Sequence, residues 1–138
     1  MVESVIVEQL PSAAQYYRLR EAVGWRLHTA EVIERALTNT LYSVCTFVDG
    51  ELVGMARVIG DGGMAYYIQD VIVLPAYQRQ GIGARMMDRV MEYIRAHAGH
   101  NAVVGLMAAC GKEPFYEKYG FTCRPTERLG AGMTIFWK

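Results

Sequence analysis

Asp70-Val71-Ile72-Val73-Leu74-Pro75, followed by Gln78-Arg79-Gln80-Gly81-Ile82-Gly83-Ala84, joins an apolar extended run to a helical pattern through a glycine turn. The extended run begins at Ala65, and Pro75 ends it, because proline has no N–H to give to a strand ladder. Beyond the glycines, Ile82, Met86, Val90 and Ile94 recur every four residues while Arg85, Asp88, Arg89, Glu92 and Arg95 fall elsewhere, which predicts an amphipathic helix. Ala102 to Met107 is predicted to be a buried strand. Strand, helix and strand over this length predict a right-handed parallel crossover.

Upstream, the period is two from Leu41, with Tyr42, Val44, Thr46 and Val48 on one side and Cys45 and Phe47 on the other. Asp49-Gly50 then predicts a tight hairpin to a return strand from Leu52 to Ile59, and Gly60-Asp61-Gly62-Gly63 predicts a second turn. Three consecutive antiparallel strands result, so the sheet is mixed. Before them lie a short strand at Val5 to Val7 and two helices. The first is started by the S-x-x-Q capping pattern Ser12 to Gln15 and stopped near Gly24; the second is capped by Thr29, with Val32, Ile33, Ala36 and Leu37 on one face. After Met107, Pro114 suits the first turn of a short helix at Phe115 to Tyr119 and Gly120 suits its end. Two last strands are expected, around Phe121-Thr122-Cys123 and from Met133 to Trp137.

Composition bounds the function. A chain of 138 residues, about half apolar, is expected to form one domain over residues 1–138. Its 14 basic residues balance 14 acidic ones with no run of either sign, so neither nucleic acid nor an anionic membrane is an expected partner. No basic leader and no long apolar span is present, and the chain reads as cytoplasmic. Cys45, Cys110 and Cys123 are widely spaced and odd in number, which suits small core residues better than disulfides or zinc. His28, His97 and His100 have no spacing that suggests a metal site or a catalytic triad.

The glycine turn carries the chemistry. Gly81 and Gly83 let the backbone approach a ligand closely, and the first amides of the following helix, with the positive end of its dipole, suit a phosphate or pyrophosphate. On its own the pair of glycines serves equally to make a tight turn. A dinucleotide fingerprint fails because Met86 stands where a third glycine is needed and the preceding strand belongs to an antiparallel run. A Walker A loop at Gly105 to Lys112 fails on spacing, and Glu113 occupies the place of the magnesium-binding hydroxyl.

With that topology, Gln78-Arg79-Gln80-Gly81-Ile82-Gly83 resembles the Q/R-x-x-G-x-G/A pyrophosphate motif of the GCN5-related N-acetyltransferase superfamily, and Phe115-Tyr116-Glu117-Lys118-Tyr119-Gly120-Phe121 resembles its F-Y-x-K-x-G-F segment. The likeness runs from about Val5 to the C-terminus. It implies an α/β fold with a mixed, mostly antiparallel sheet of about seven strands and about four helices, in the order β-α-α-β-β-β-α-β-α-β-β. It further implies acetyl-CoA as co-substrate, a primary amine on a small molecule or protein as acceptor, and a homodimer. Main-chain groups around Val71, Ile72 and Val73 would pair with the pantetheine arm, Gln78 to Ala84 would wrap the pyrophosphate, Lys118 would approach the 3′-phosphate, and Tyr116 would lie near the sulfur. Trp25, Arg26, Arg57, Asp61 and the loop from Gly130 to Met133 would border the acceptor.

Acyl transfer to an amine needs the neutral nucleophile, and an amine of pKa ~10.4 is mostly protonated at neutral pH. Asp70, directly or through water, is the first candidate to take that proton, and the main-chain carbonyls of its strand are the second. Gln69 cannot ionise, so it could only orient substrate or water. Tyr116 is the candidate acid for the leaving thiolate, because a phenol near pKa ~10 gives up its proton to a thiolate of ~8.5 at an uphill cost of only about 2 kcal/mol. Two other classes share these features: a non-catalytic acyl-CoA-binding module, and a regulatory or interaction protein on the same fold.

Overall fold

Ser12 starts the first helix through a reciprocal cap: its hydroxyl accepts from the Gln15 amide at 3.1 Å and its amide donates to the Gln15 side chain at 2.9 Å. In the computed structural model, which describes residues 3–138, β1 (Val5–Val7) precedes this helix, α1 (Ala13–Ala22), and α2 (Ala30–Thr38) follows it. The chain continues through β2 (Tyr42–Val48), β3 (Glu51–Gly60), β4 (Ala65–Val73), a 3₁₀ turn (Pro75–Tyr77), α3 (Ile82–His97), β5 (Val103–Leu106) and α4 (Glu113–Glu117). It divides into two bodies, one ending at Leu106 and one running from Met107 to Lys138.

In the first body, five strands form one sheet in the order β1-β2-β3-β4-β5. The first three pairings are antiparallel and β4 pairs with β5 in parallel, as the strand-helix-strand pattern predicts. The Asp49-Gly50 hairpin turn has both residues at positive φ, 50° and 78°, which matches the twist of the strands it joins. α1 and α2 bury Tyr16, Leu19, Ile33 and Leu37 against Cys45, Leu52, Met55 and Ile72 of the sheet. α3 buries Ile82, Met86, Met87, Val90 and Ile94 and packs on β2, β3 and β4. The four-residue period therefore marked the correct face.

Two irregularities shape β4. Met55 is paired with Ile72 but Arg57 with Gln69, so Asp70 and Val71 together lie opposite Ala56. This is a β-bulge, and Asp70 adopts φ 60° within it, a conformation that costs a non-glycine residue energy. In addition, β5 pairs only with Ala65 to Ile68. From Gln69 to Val73, that edge of β4 has no neighbouring strand among the described residues.

The expected seven-stranded sheet is thus a sheet of five. Neither Phe121 to Cys123 nor Met133 to Trp137 forms a strand, although the second is rich in β-favouring side chains. Strand propensity is realised only where a neighbour supplies a ladder and something to pack against. Met133 and Trp137 are instead about nine-tenths exposed, at 90% and 89%. In the second body the chain after α4 turns at Thr126, whose amide donates to the Leu129 carbonyl at 2.8 Å and whose hydroxyl accepts from the Leu129 amide at 3.0 Å. β5 is an edge strand with Val103 exposed, so the burial expected for it is also corrected. Of the cysteines, Cys45 is buried, as expected, but Cys110 and Cys123 are exposed. No helix among the described residues is long and apolar enough to cross a membrane.

Gly54 marks where α3 lies closest to the sheet. A Cβ there would sit 3.1 Å from the Ile72 carbonyl oxygen, 3.2 Å from Met86 Cε and 3.4 Å from Ile82 Cγ2. Gly54→Val should therefore force the first turn of α3 away from β3 and β4 and cost about 1–3 kcal/mol, as overpacking does. Urea denaturation checks this; an unchanged midpoint would contradict the packing described.

Candidate functional site

β4 delivers the chain from its unpaired edge directly to the head of α3. Gln78, Arg79, Gln80 and Gly81 are exposed in the connecting turn. The Gln78 side chain donates to the Val73 carbonyl at 2.9 Å, which ties the turn to the end of β4. Arg79 and Gly81 both take positive φ, 64° and 82°, so the backbone folds back on itself before the helix begins. Gly81 is the N-cap and offers no side chain to α3, while its carbonyl accepts the first helical bond from Arg85 at 3.0 Å. Nothing lies within 4 Å of where a Gly81 Cβ would be. An uncapped helix head beside open space is a site for anionic oxygen, and the adjoining strand edge is a site for an extended chain with amide groups of its own.

On the α1 side of the β4 bulge lies a buried ionic cluster. Asp70 accepts from Arg20 Nη1 and Arg57 Nε, both at 2.8 Å, and its own side chain has no solvent exposure. The Tyr16 hydroxyl donates to Asp70 Oδ2 at 2.5 Å and Gln69 Nε2 donates to Oδ1 at 3.2 Å. Burial beside that carboxylate pushes the Tyr16 phenol up from its ordinary pKa, so it remains a donor. Arg20 also donates from Nε to the Arg26 carbonyl at 2.7 Å, and Arg57 from Nη1 to Thr40 Oγ1 at 3.1 Å. The cluster thus ties α1, the loop after it, the end of α2, β3 and β4 together. Asp70, Arg57 and Gln69 were selected from the sequence. Tyr16 and Arg20 were not, and their signal was an arginine and a tyrosine four apart on the same stripe as buried Leu19.

The remaining selected residues are placed as follows. Trp25 is half-buried against the α1–α2 core, with its ring 5.5 Å from the Arg20 guanidinium carbon, while Arg26 is exposed. Asp61 closes the β3–β4 turn: Oδ1 accepts from the amides of Gly63, Met64 and Ala65 at 2.8, 2.9 and 3.0 Å, and these bonds hold its carboxyl below the usual range. Turn formation accounts for Asp61. Val71 and Val73 are half-buried and Ile72 is buried in the core. Ile82 is also buried, while Gly83 and Ala84 are half-buried.

In the second body, Tyr116 is buried with its ring edge-on to Phe115 at 5.0 Å and Phe121 at 6.5 Å. Among the described residues no hydrogen bond is made by its hydroxyl, and burial pushes its pKa up, so it stays protonated beyond the ordinary phenol range. Lys118 is exposed at the end of α4. No group of three or more potential metal-ligating side chains occurs among the described residues.

The chain belongs to the acetyltransferase (GNAT) domain family, whose pattern matches residues 14–136. It is 35% identical to a probable acetyltransferase of unknown function from meticillin-resistant Staphylococcus aureus, with a TM-score of 0.89 over 98% of this chain and 100% of that one. A GNAT-family acetyltransferase from Streptococcus pneumoniae is 30% identical, with a TM-score of 0.80 over 99% and 100% of the two chains. An uncharacterized N-acetyltransferase, ycf52-like, from Prochlorococcus marinus is 32% identical over 112 residues, 78% of this chain and 61% of that relative. The chain therefore spans about three fifths of that relative's length.

Removing the carboxylate leaves two buried guanidinium groups without a counter-charge. Asp70→Asn should destabilise the protein by about 3 kcal/mol or more, the usual cost of stripping one partner from a buried ion pair. A shift below about 1 kcal/mol in urea denaturation would show that the cluster does not hold the fold.

Proposed function

We propose that the chain is an N-acetyltransferase that moves an acetyl group from acetyl-CoA to a primary amine by direct attack in a ternary complex. The observation that carries this reading is the continuity of the unpaired β4 edge, Gln69 to Val73, with the uncapped head of α3 at Gly81. The pantetheine amides would pair with main-chain groups of Val71 and Val73 as an added strand, and the pyrophosphate would lie on the turn from Gln78 to Ala84. Lys118 would meet the 3′-phosphate. The family match reaches both bodies of the chain, which supports reading them as one acetyltransferase domain.

Asp70 enters this reading as a positioning residue. Both of its oxygens already accept two donors, so a proton from substrate would have to displace one of them. The amine proton passes instead to water, with a main-chain carbonyl of β4 accepting a hydrogen bond from the amine or that water. Attack on the thioester carbon forms the new C–N bond, the carbonyl charge is met by a β4 amide, and collapse breaks the C–S bond. The leaving thiolate takes the Tyr116 proton and becomes CoA thiol. Desolvation raises the Tyr116 pKa, so its acid form persists across the neutral and mildly basic range.

Release of free thiol from acetyl-CoA, across a set of amines, tests the reading. Tyr116→Phe should lower kcat by at least ~10-fold while leaving acetyl-CoA affinity nearly unchanged, as loss of a contact made only in the transition state does. Unaltered kcat would remove Tyr116 from the reaction, and no thiol release with any amine would remove the reaction itself.

A further inference from the structure

The cluster at the β4 bulge holds more positive charge than its carboxylate balances. Arg20 and Arg57 are only 8% and 6% exposed, yet both lean on the single carboxylate of Asp70. The other partners are neutral: the Tyr16 phenol, the Gln69 amide, the Thr40 hydroxyl and the Arg26 carbonyl. Each guanidinium also has a nitrogen to spare. Arg20 spends Nε on Arg26 and Nη1 on Asp70 and Tyr16, while Arg57 spends Nε on Asp70 and Nη1 on Thr40. Neither Nη2 is hydrogen-bonded among the described residues.

These two side chains are not sealed away. Among the described residues, the fully buried side-chain polar atoms without a partner are Ser43 Oγ and Thr46 Oγ1. The side chains of Arg20 and Arg57 keep 10% and 8% of their surface exposed, so neither is wholly closed off from solvent. The cluster therefore carries unspent guanidinium N–H and a net positive charge at the bulge, where β4 loses its neighbour. Such donors are costly to leave unmet at a nearly buried position, and a planar guanidinium suits a carboxylate or phosphate. The Trp25 ring near Arg20 and the Arg26 carbonyl on its Nε hold that guanidinium in place.

We propose that Arg20 and Arg57 form a subsite for an anionic oxygen group, so that the acceptor is a primary amine carrying a carboxylate or phosphate close to its amino group. This rests on the acetyl-transfer reading for its role, though not for its existence. A zwitterionic acceptor brings its own counter-charge to the excess cation, whereas a polyamine brings more positive charge to it. The same excess cation favours the neutral form of the amine that must attack.

The test compares matched ligands on the wild-type protein. In thiol release, tryptophan should exceed both tryptophanamide and tryptamine in kcat/KM, or phosphoethanolamine should exceed ethanolamine, by at least ~10-fold. The pair that responds separates carboxylate from phosphate. Calorimetry in the presence of CoA gives a readout independent of turnover: N-acetyltryptophan should bind more tightly than N-acetyltryptophanamide, or N-acetylphosphoethanolamine more tightly than N-acetylethanolamine. The preference should shrink in Arg57→Lys, which keeps the charge and loses the fork. If no amine releases thiol but the charged ligand still binds better, acetyl transfer fails and the subsite stands. If no pair favours its charged member in binding, the subsite is overturned whatever the activity.

Discussion

One buried carboxylate governs the arrangement of this molecule. Asp70 sits at positive φ in a β-bulge, a conformation that is unfavourable for it, and persists there because Arg20, Arg57, Tyr16 and Gln69 all bond its two oxygens. Those bonds fix the strand where it departs from regular pairing. Beyond the bulge β4 runs without β5, and its free edge leads to the helix head. The free strand edge and the helix head that it leads to both lie beyond that distortion.

The cluster also explains how the α1–α2 loop is held. Arg20 spans from the Arg26 carbonyl to Asp70, so the loop carrying Trp25 is referenced to the bulge rather than left to its own conformation. Gly54 has the corresponding role on the other face, where the absence of a side chain lets Ile82 and Met86 bring α3 down onto β3 and β4. A short, rigid path thus joins both helical layers to the same few residues of β4.

Much of this was legible in the sequence because it is local. The Ser12 cap, the Asp49-Gly50 hairpin, the four-residue period of α3 and the glycine turn each depend on residues close together in the chain, and each is observed. The two motif segments also led to the correct family. What was not legible depends on long-range partners. Nothing near Asp70 in the sequence announces Tyr16 and Arg20, 54 and 50 positions away, so a carboxylate that looked like a base is one whose oxygens are already taken. The last two expected strands also do not form: Met133 to Trp137 has the side chains for a strand but stays exposed outside any ladder.

The proposed function requires an acyl-CoA to lie along the free edge of β4 with its phosphates on the turn before α3. Residue-resolved amide exchange with and without acetyl-CoA tests it most directly. Slowed exchange at Val71, Val73 and Gly81 to Gly83 is predicted, with little change in β1 and β2. Unchanged exchange in those residues at saturating acetyl-CoA would contradict it.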